Sequence, residues 1–141
     1  MTSSNPYDLL DISSTHIANQ QTLMKVAMQN LQNKDSRNPD GTPYRREFAM
    51  MAAEYDKNVG AVVATLKRFD KDTSPLQETF DPSHPAANPA TGMVQMSNIN
   101  PFLEMVDAKE AYMSVQEGIK MYELGSKVIG KYLKLMEAPA A

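Results

Sequence analysis

The residue pattern predicts a mainly α protein: paired long N- and C-terminal helices, coiled-coil-like, with a small β-containing middle segment. Three observations carry this. Met105, Tyr112, Ile119, Ser126 and Leu133 recur every seven positions, and Ala108, Val115, Tyr122, Ile129 and Met136 follow three residues behind them. Only Ser126 interrupts that seam, and a repeat sustained so long belongs to a helix with partners on other helices. Leu10, Ile17, Met24 and Leu31 recur at the same seven-residue spacing near the other end, with polar Ser14 and Gln21 between them. The residues between these two stretches lose the period and gain turn formers and prolines.

Each element has a local cause. Asn5-Pro6 opens the first helix, expected over Pro6–Asn33, and Asp8 falls in its first turn. Asn100-Pro101 with Glu104 repeats that arrangement at the start of the second. Asparagine accepts from free backbone N–H groups, proline is harmless where its missing N–H has no partner, and an acid suits the positive end of the helix dipole. A helix over 101–137 is roughly 55 Å long at 1.5 Å per residue, more than this chain can cover by itself.

That second helix carries further apolar residues off the seam: Val106, Met113, Met121, Val128 and Leu135. Two apolar faces mean burial on more than one side, which one intramolecular partner cannot provide. A third stripe, Ala111, Gly118 and Gly125, is small. It lets a neighbouring helix approach closely, or it simply weakens the helix at about 1 kcal/mol per glycine.

In the middle, Asn38-Pro39-Asp40-Gly41-Thr42-Pro43 is a turn cluster. The β-branched run Val59–Phe69 reads as a strand, while Arg45–Tyr55 reads as either a strand or a short helix. Residues 70–98 hold four of the nine prolines and are expected to be extended or loop-like. The chain thus divides into an N-terminal helical unit (1–34), a middle segment (35–98) and a C-terminal heptad helix (99–141).

Composition narrows the function. The 141 residues carry a net charge of −3 with no basic stripe, which argues against nucleic acid. Cysteine is absent, removing disulfides, thiolate metal sites and cysteine nucleophiles. The first residues lack a basic and an apolar region, so no cleaved secretory signal is expected, and no apolar run is long enough to insert directly in a membrane. Eleven methionines and no tryptophan suit surfaces that adapt as they pack.

Four stretches carry a resemblance. Ala27-Met28-Gln29-Asn30-Leu31-Gln32-Asn33 is similar to an Ala-x-x-Asn-Leu-x-Asn pattern. Pro39-Asp40-Gly41-Thr42-Pro43-Tyr44-Arg45-Arg46 is similar to Pro-Asp-Gly-x-Pro-Tyr-Arg-Arg, and Asp81-Pro82-Ser83-His84-Pro85 to Asp-Pro-x-His-Pro. Gly92 to Asn100 is similar to a Gly-Tyr-Val-x-Met-Pro-Asn-Val-Asn run, and Glu104-Met105-Val106 and Ala111-Tyr112 follow at matching offsets. With these in order along nearly the whole chain, it resembles the flagellar basal-body rod proteins, closest to their proximal-rod members.

The resemblance implies a structural subunit with no cofactor. It implies passage through the flagellar export apparatus and assembly in the periplasm with copies of itself and other rod proteins into a helical tube. The subunit interface is then expected at Leu10, Ile17, Met24 and Leu31, and at Met105, Tyr112, Val115, Ile119, Tyr122, Ile129, Leu133 and Met136. The rival reading is a helical adaptor or secretion-linked binding protein that uses the same seam in a finite complex.

Catalytic readings are poor. Asp11, Ser13, Ser14 and His16 share one turn of helix, so they point in different directions, and nothing supplies an oxyanion hole. His84 lies among prolines with no second histidine or cysteine nearby, which favours fixing a loop over binding metal. Glu54 and Asp56 read as a charged turn rather than a glycosidase pair.

Overall fold

A computed structural model describes residues 5–137; the first and last four residues of the expected terminal units lie outside them. The element order is α1 (Asp8–Asn33), β1 (Glu47–Asp56), β2 (Ala61–Lys71), β3 (Gln77–Phe80), β4 (Met93–Met96) and α2 (Pro101–Glu137). The protein is mainly α, with a small β-containing segment between its two helices.

α1 begins two residues later than its sequence suggested. Asn5, Pro6 and Tyr7 form a turn instead: the Asn5 side chain accepts from the Tyr7 N–H at 3.1 Å, and the Asp8 carboxylate accepts from the Asn5 N–H at 3.1 Å. α2 starts as its sequence dictates. Asn100 Oδ1 accepts from the N–H groups of Phe102 (3.0 Å) and Leu103 (3.4 Å), and Pro101 occupies the first helical position.

The two helices run antiparallel. Asn30 near the end of α1 meets Glu104 at the start of α2, Ile17 lies against Gly118, and Leu10 against Gly125. Glu104, Ala111, Val115, Gly118, Gly125 and Ile129 are the residues of α2 that this pairing buries. The small stripe is therefore the contact face. A Cβ at Gly118 would stand 2.7 Å from Ile17 Cγ1, and one at Gly125 3.1 Å from a Leu10 methyl. Gly130 has nothing within 4 Å, so for that residue no such need exists inside the chain.

Strands β1 and β2 form an antiparallel hairpin from Glu47↔Lys71 to Asp56↔Ala61, with a register shift between Met50 and Met51. The segment whose type the pattern left open, Arg45–Tyr55, is thus a strand. β2 begins at Ala61 rather than Val59 because the turn takes the intervening residues: Asp56 Oδ1 accepts from Asn58 and Val59, and Gly60 adopts φ +70°. The hairpin lies beside α1, where Asn19 donates to the Ala64 carbonyl at 2.7 Å.

Residues 70–98 are extended or loop-like, as expected, and two of their extended pieces pair. β3 and β4 pair antiparallel from Gln77↔Met96 to Phe80↔Met93. The connection between them is tied by short-range bonds. Asp81 accepts from the backbone and hydroxyl of Ser83, and His84 Nδ1 accepts from the Ala86 N–H at 3.0 Å. Gly92, at φ +71°, lies where a Cβ would meet the Phe80 ring at 2.7 Å. The alternation of strand residues here is too short for a period to announce it.

Candidate functional site

Two features stand out: a polar knot where the helices meet the middle segment, and an exposed apolar surface along α2.

The knot is built on α1, the start of β1 and the first turn of α2. Asn30 is fully buried, Glu104 is 1% exposed, and both are held by hydrogen bonds. The Asn30 amide donates to the Glu47 carbonyl (2.8 Å) and to Glu104 Oε2 (3.2 Å), while its oxygen accepts from the Glu47 N–H (3.0 Å). The Arg46 guanidinium donates to Glu104 Oε1 and faces Asp107 (3.4 Å) and Asp72 (3.8 Å). The Arg46 N–H donates to Asn98 Oδ1 (2.8 Å), and Asn98 donates to the carbonyls of Asp72 and Ser74. Arg45 donates to the same two carbonyls. Burying a carboxylate is costly unless it is paired and hydrogen-bonded, and here both conditions are met. Among the described residues no buried side-chain nitrogen or oxygen lacks a partner, so the knot holds structure together and offers no free base or nucleophile.

The other motif residues also serve local structure. Pro43 is buried beneath the turn, where the Asp40 carboxylate accepts from the Thr42 N–H and hydroxyl, and Gly41 adopts φ +87°. The Thr42 hydroxyl and then its backbone hold the Asp40 carboxyl below its ordinary value, as Ser74 does for Asp72 and Ser83 for Asp81. Half-buried Tyr44 is pushed up by desolvation and by the charges of Glu47 and Glu104. Leu31 is half-buried, Asn33 donates back to the Gln29 carbonyl, and Pro82 and Pro85 are exposed on the loop around His84.

Ser13 and Ser14 donate their hydroxyls back to the carbonyls of Leu9 and Asp11, which leaves neither directed at His16. Glu54 is paired with Lys67.

The α2 seam divides between inside and outside. Val115 and Ile129 are buried in the helix pair, with Leu10, Ile17, Met24 and Leu31 of α1 half-buried. Met105, Tyr112, Ile119, Tyr122, Leu133 and Met136 are exposed, Ile119 least at 37%. The off-seam residues Met113, Met121, Val128 and Leu135 are exposed as well, and so are Phe102, Leu103, Leu124 and Tyr132. So many exposed large apolar side chains on one helix mark an interaction surface.

The sequence reading missed Glu104 as a buried ionic partner, assigning it to the helix dipole alone. The available signal was its position: it stands seven residues before Ala111, on the same small stripe that packs against α1.

Comparison with known proteins bears on what this surface meets. No family model matches the chain. It is 32% identical over 132 residues to the flagellar basal-body rod protein FlgC of Salmonella typhimurium, an alignment spanning 91% of this chain and 96% of that one. The chain belongs to the FlgC family. Flagellar basal-body rod protein FlgC of Agrobacterium fabrum is 27% identical over 129 residues, spanning 90% of this chain and 92% of that one. The FlgC of Aquifex aeolicus is 29% identical over 122 residues, spanning 86% and 90%. Among the described residues of this FlgC-family chain, no helix is long and apolar enough to cross a membrane.

Proposed function

We propose that this chain is a structural subunit, not an enzyme, of the proximal part of the bacterial flagellar basal-body rod. The supporting observation is the exposed apolar surface of α2 on a chain of the FlgC family. In this reading residues 1–34 and 99–141 form the rod core, and the middle segment 35–98 makes outer contacts with adjacent subunits.

The physics is that of assembly. A single helical partner covers only the small stripe and, of the seam, Val115 and Ile129, leaving Met105, Tyr112 and Ile119 on one flank and Met121, Val128 and Leu135 on another. Coiled-coil-like packing of these flanks against copies of the chain and other rod proteins removes apolar area from water at roughly 25 cal/mol per Å². Heterologous contacts that do not close into a ring build a helical tube. In this reading the chain passes through the flagellar export apparatus and assembles in the periplasm with other rod proteins, using no cofactor and no nucleic acid.

Ile119→Asp tests this directly. It places an unpaired charge where a neighbour must pack, while in the free chain that position is already partly open to water. Expression and helicity are expected to be unchanged and recovery of the chain in basal bodies lost. Normal incorporation would remove Ile119 from any subunit interface. A soluble complex of fixed size in place of a tube would favour the adaptor reading.

A further inference from the structure

The chain carries two oppositely charged surfaces that it cannot bring together by itself. Lys109, Lys120, Lys127, Lys131 and Lys134 follow one another at intervals of eleven, seven, four and three residues, which places them in one row along α2. Ala111, Val115, Gly118, Gly125 and Ile129, buried against α1, belong to the opposite side of the helix, so the row faces away from α1. All five lysines are exposed, and among the described residues none is in an ion pair. Met113 and Leu124, also exposed, are interleaved with them. The second surface is a groove of about 330 Å³ between α1, the start of β1 and α2. Leu23, Phe48 and Ala49 supply its apolar lining. Its charged lining is Glu47, Glu104, Asp107 and Glu110 against Arg46 alone. Arg46 is already paired with Glu104 and close to Asp107, whereas Glu110 has no partner among the described residues.

These surfaces lie at different levels of α2. Glu110 and Lys127 are seventeen residues apart, roughly 25 Å along the helix, and the groove opens on a different side from the row. One chain therefore cannot fill its groove with its own lysines, but a second copy displaced along the helix axis can. We propose that the groove is a docking site for the lysine row of a second copy of this chain. Lysine ammonium groups meet the carboxylates of Glu110, Asp107 and Glu47, and lysine stems with Met113 and Leu124 cover Leu23 and Phe48. Like charges oppose side-by-side pairing of copies at one level, and opposite charges favour the axial offset. The contact is heterologous: each docked copy leaves one groove and one row free for the next, as an open-ended assembly requires. This docking rests on the rod-subunit reading above and adds to it the identity of one neighbour and the offset between copies.

The chain contains no cysteine, so single engineered cysteines report the contact without background. Ser114→Cys marks the groove and Leu124→Cys marks the row, and neither alters a charge. The two purified full-length variants, mixed at low ionic strength under mild oxidation, are expected to form a disulfide-linked dimer containing one of each. Its yield should exceed that of either variant alone several-fold and fall as salt is raised. Adding Lys127→Glu and Lys131→Glu to the Leu124→Cys chain is expected to lower the mixed yield about tenfold. Adding Glu110→Lys to the Ser114→Cys chain should then restore it, which misfolding of the first variant could not allow. A mixed yield no greater than the separate ones, or one indifferent to both reversals, would overturn the proposal. So would binding of the unaltered chain to phosphatidylglycerol vesicles, abolished by Lys127→Glu with Lys131→Glu, in the absence of mixed crosslinking. That result would assign the row to an anionic membrane surface. The crosslink is read in solution, so its failure is distinct from absence of the chain from basal bodies, which tests the rod reading.

Discussion

Gly118 and Gly130 sit twelve residues apart on one helix and have opposite reasons to be glycine. At Gly118 the backbone of α2 lies so close to Ile17 that a Cβ would overlap it, whereas at Gly130 nothing is near. Gly118→Leu is expected to lower the stability of the free chain by about 1–3 kcal/mol through overpacking. Gly130→Ala is expected to raise it by up to about 1 kcal/mol through helix propensity. Thermal melting of both variants checks this, and equal effects would show that close approach is not what Gly118 serves. Residue-scale titration gives a second expectation. Asp40, Asp72 and Asp81 have carboxyls held below the ordinary 3.8 by Thr42, Ser74 and Ser83. A depressed carboxyl contributes stability that is complete above its unfolded value and is lost as pH falls through its folded value. Their contribution is therefore constant near neutrality and disappears only below pH 3.8. Melts of the chain and of an Asp40→Asn, Asp72→Asn, Asp81→Asn variant should run parallel above that pH and converge below it. Divergence beginning near neutrality would contradict this assignment.

At the scale of elements, α2 was legible to its last described residue because its causes are local. Asn100 and Pro101 set the start, and the heptad sets the extent. Asn100→Ala should cost about 1 kcal/mol, read as a lower melting midpoint with the rest of the helix intact. The strand at 47–56 was ambiguous because its commitment comes from pairing with β2 across a tight turn, which no single segment encodes. The hairpin of β3 and β4 was hidden for the same reason, and proline-rich flanks drew attention to loops instead. Which flank of α2 would meet α1 was not legible either. The large residues of the seam advertised one face, but close approach favours the small one, and Ala111, Gly118 and Gly125 took it. The ion pair of Glu104 with Arg46 joins residues 58 apart in sequence, and only the fold brings them together.

For the whole molecule, the consequence of that choice is an outer surface richer in large apolar side chains than the inner one. The buried face of α2 is made of alanine, valine, isoleucine, two glycines and one glutamate, while tyrosines, methionines and leucines face outward. In the proposed rod, that outer surface is what neighbouring subunits would cover, as expected of a subunit that is stable chiefly in an assembly. The most direct measurement is mass spectrometry of stringently washed hook–basal bodies purified from the source organism. A structural rod subunit should be retained with the other rod components. Intact basal bodies lacking this chain would contradict the account.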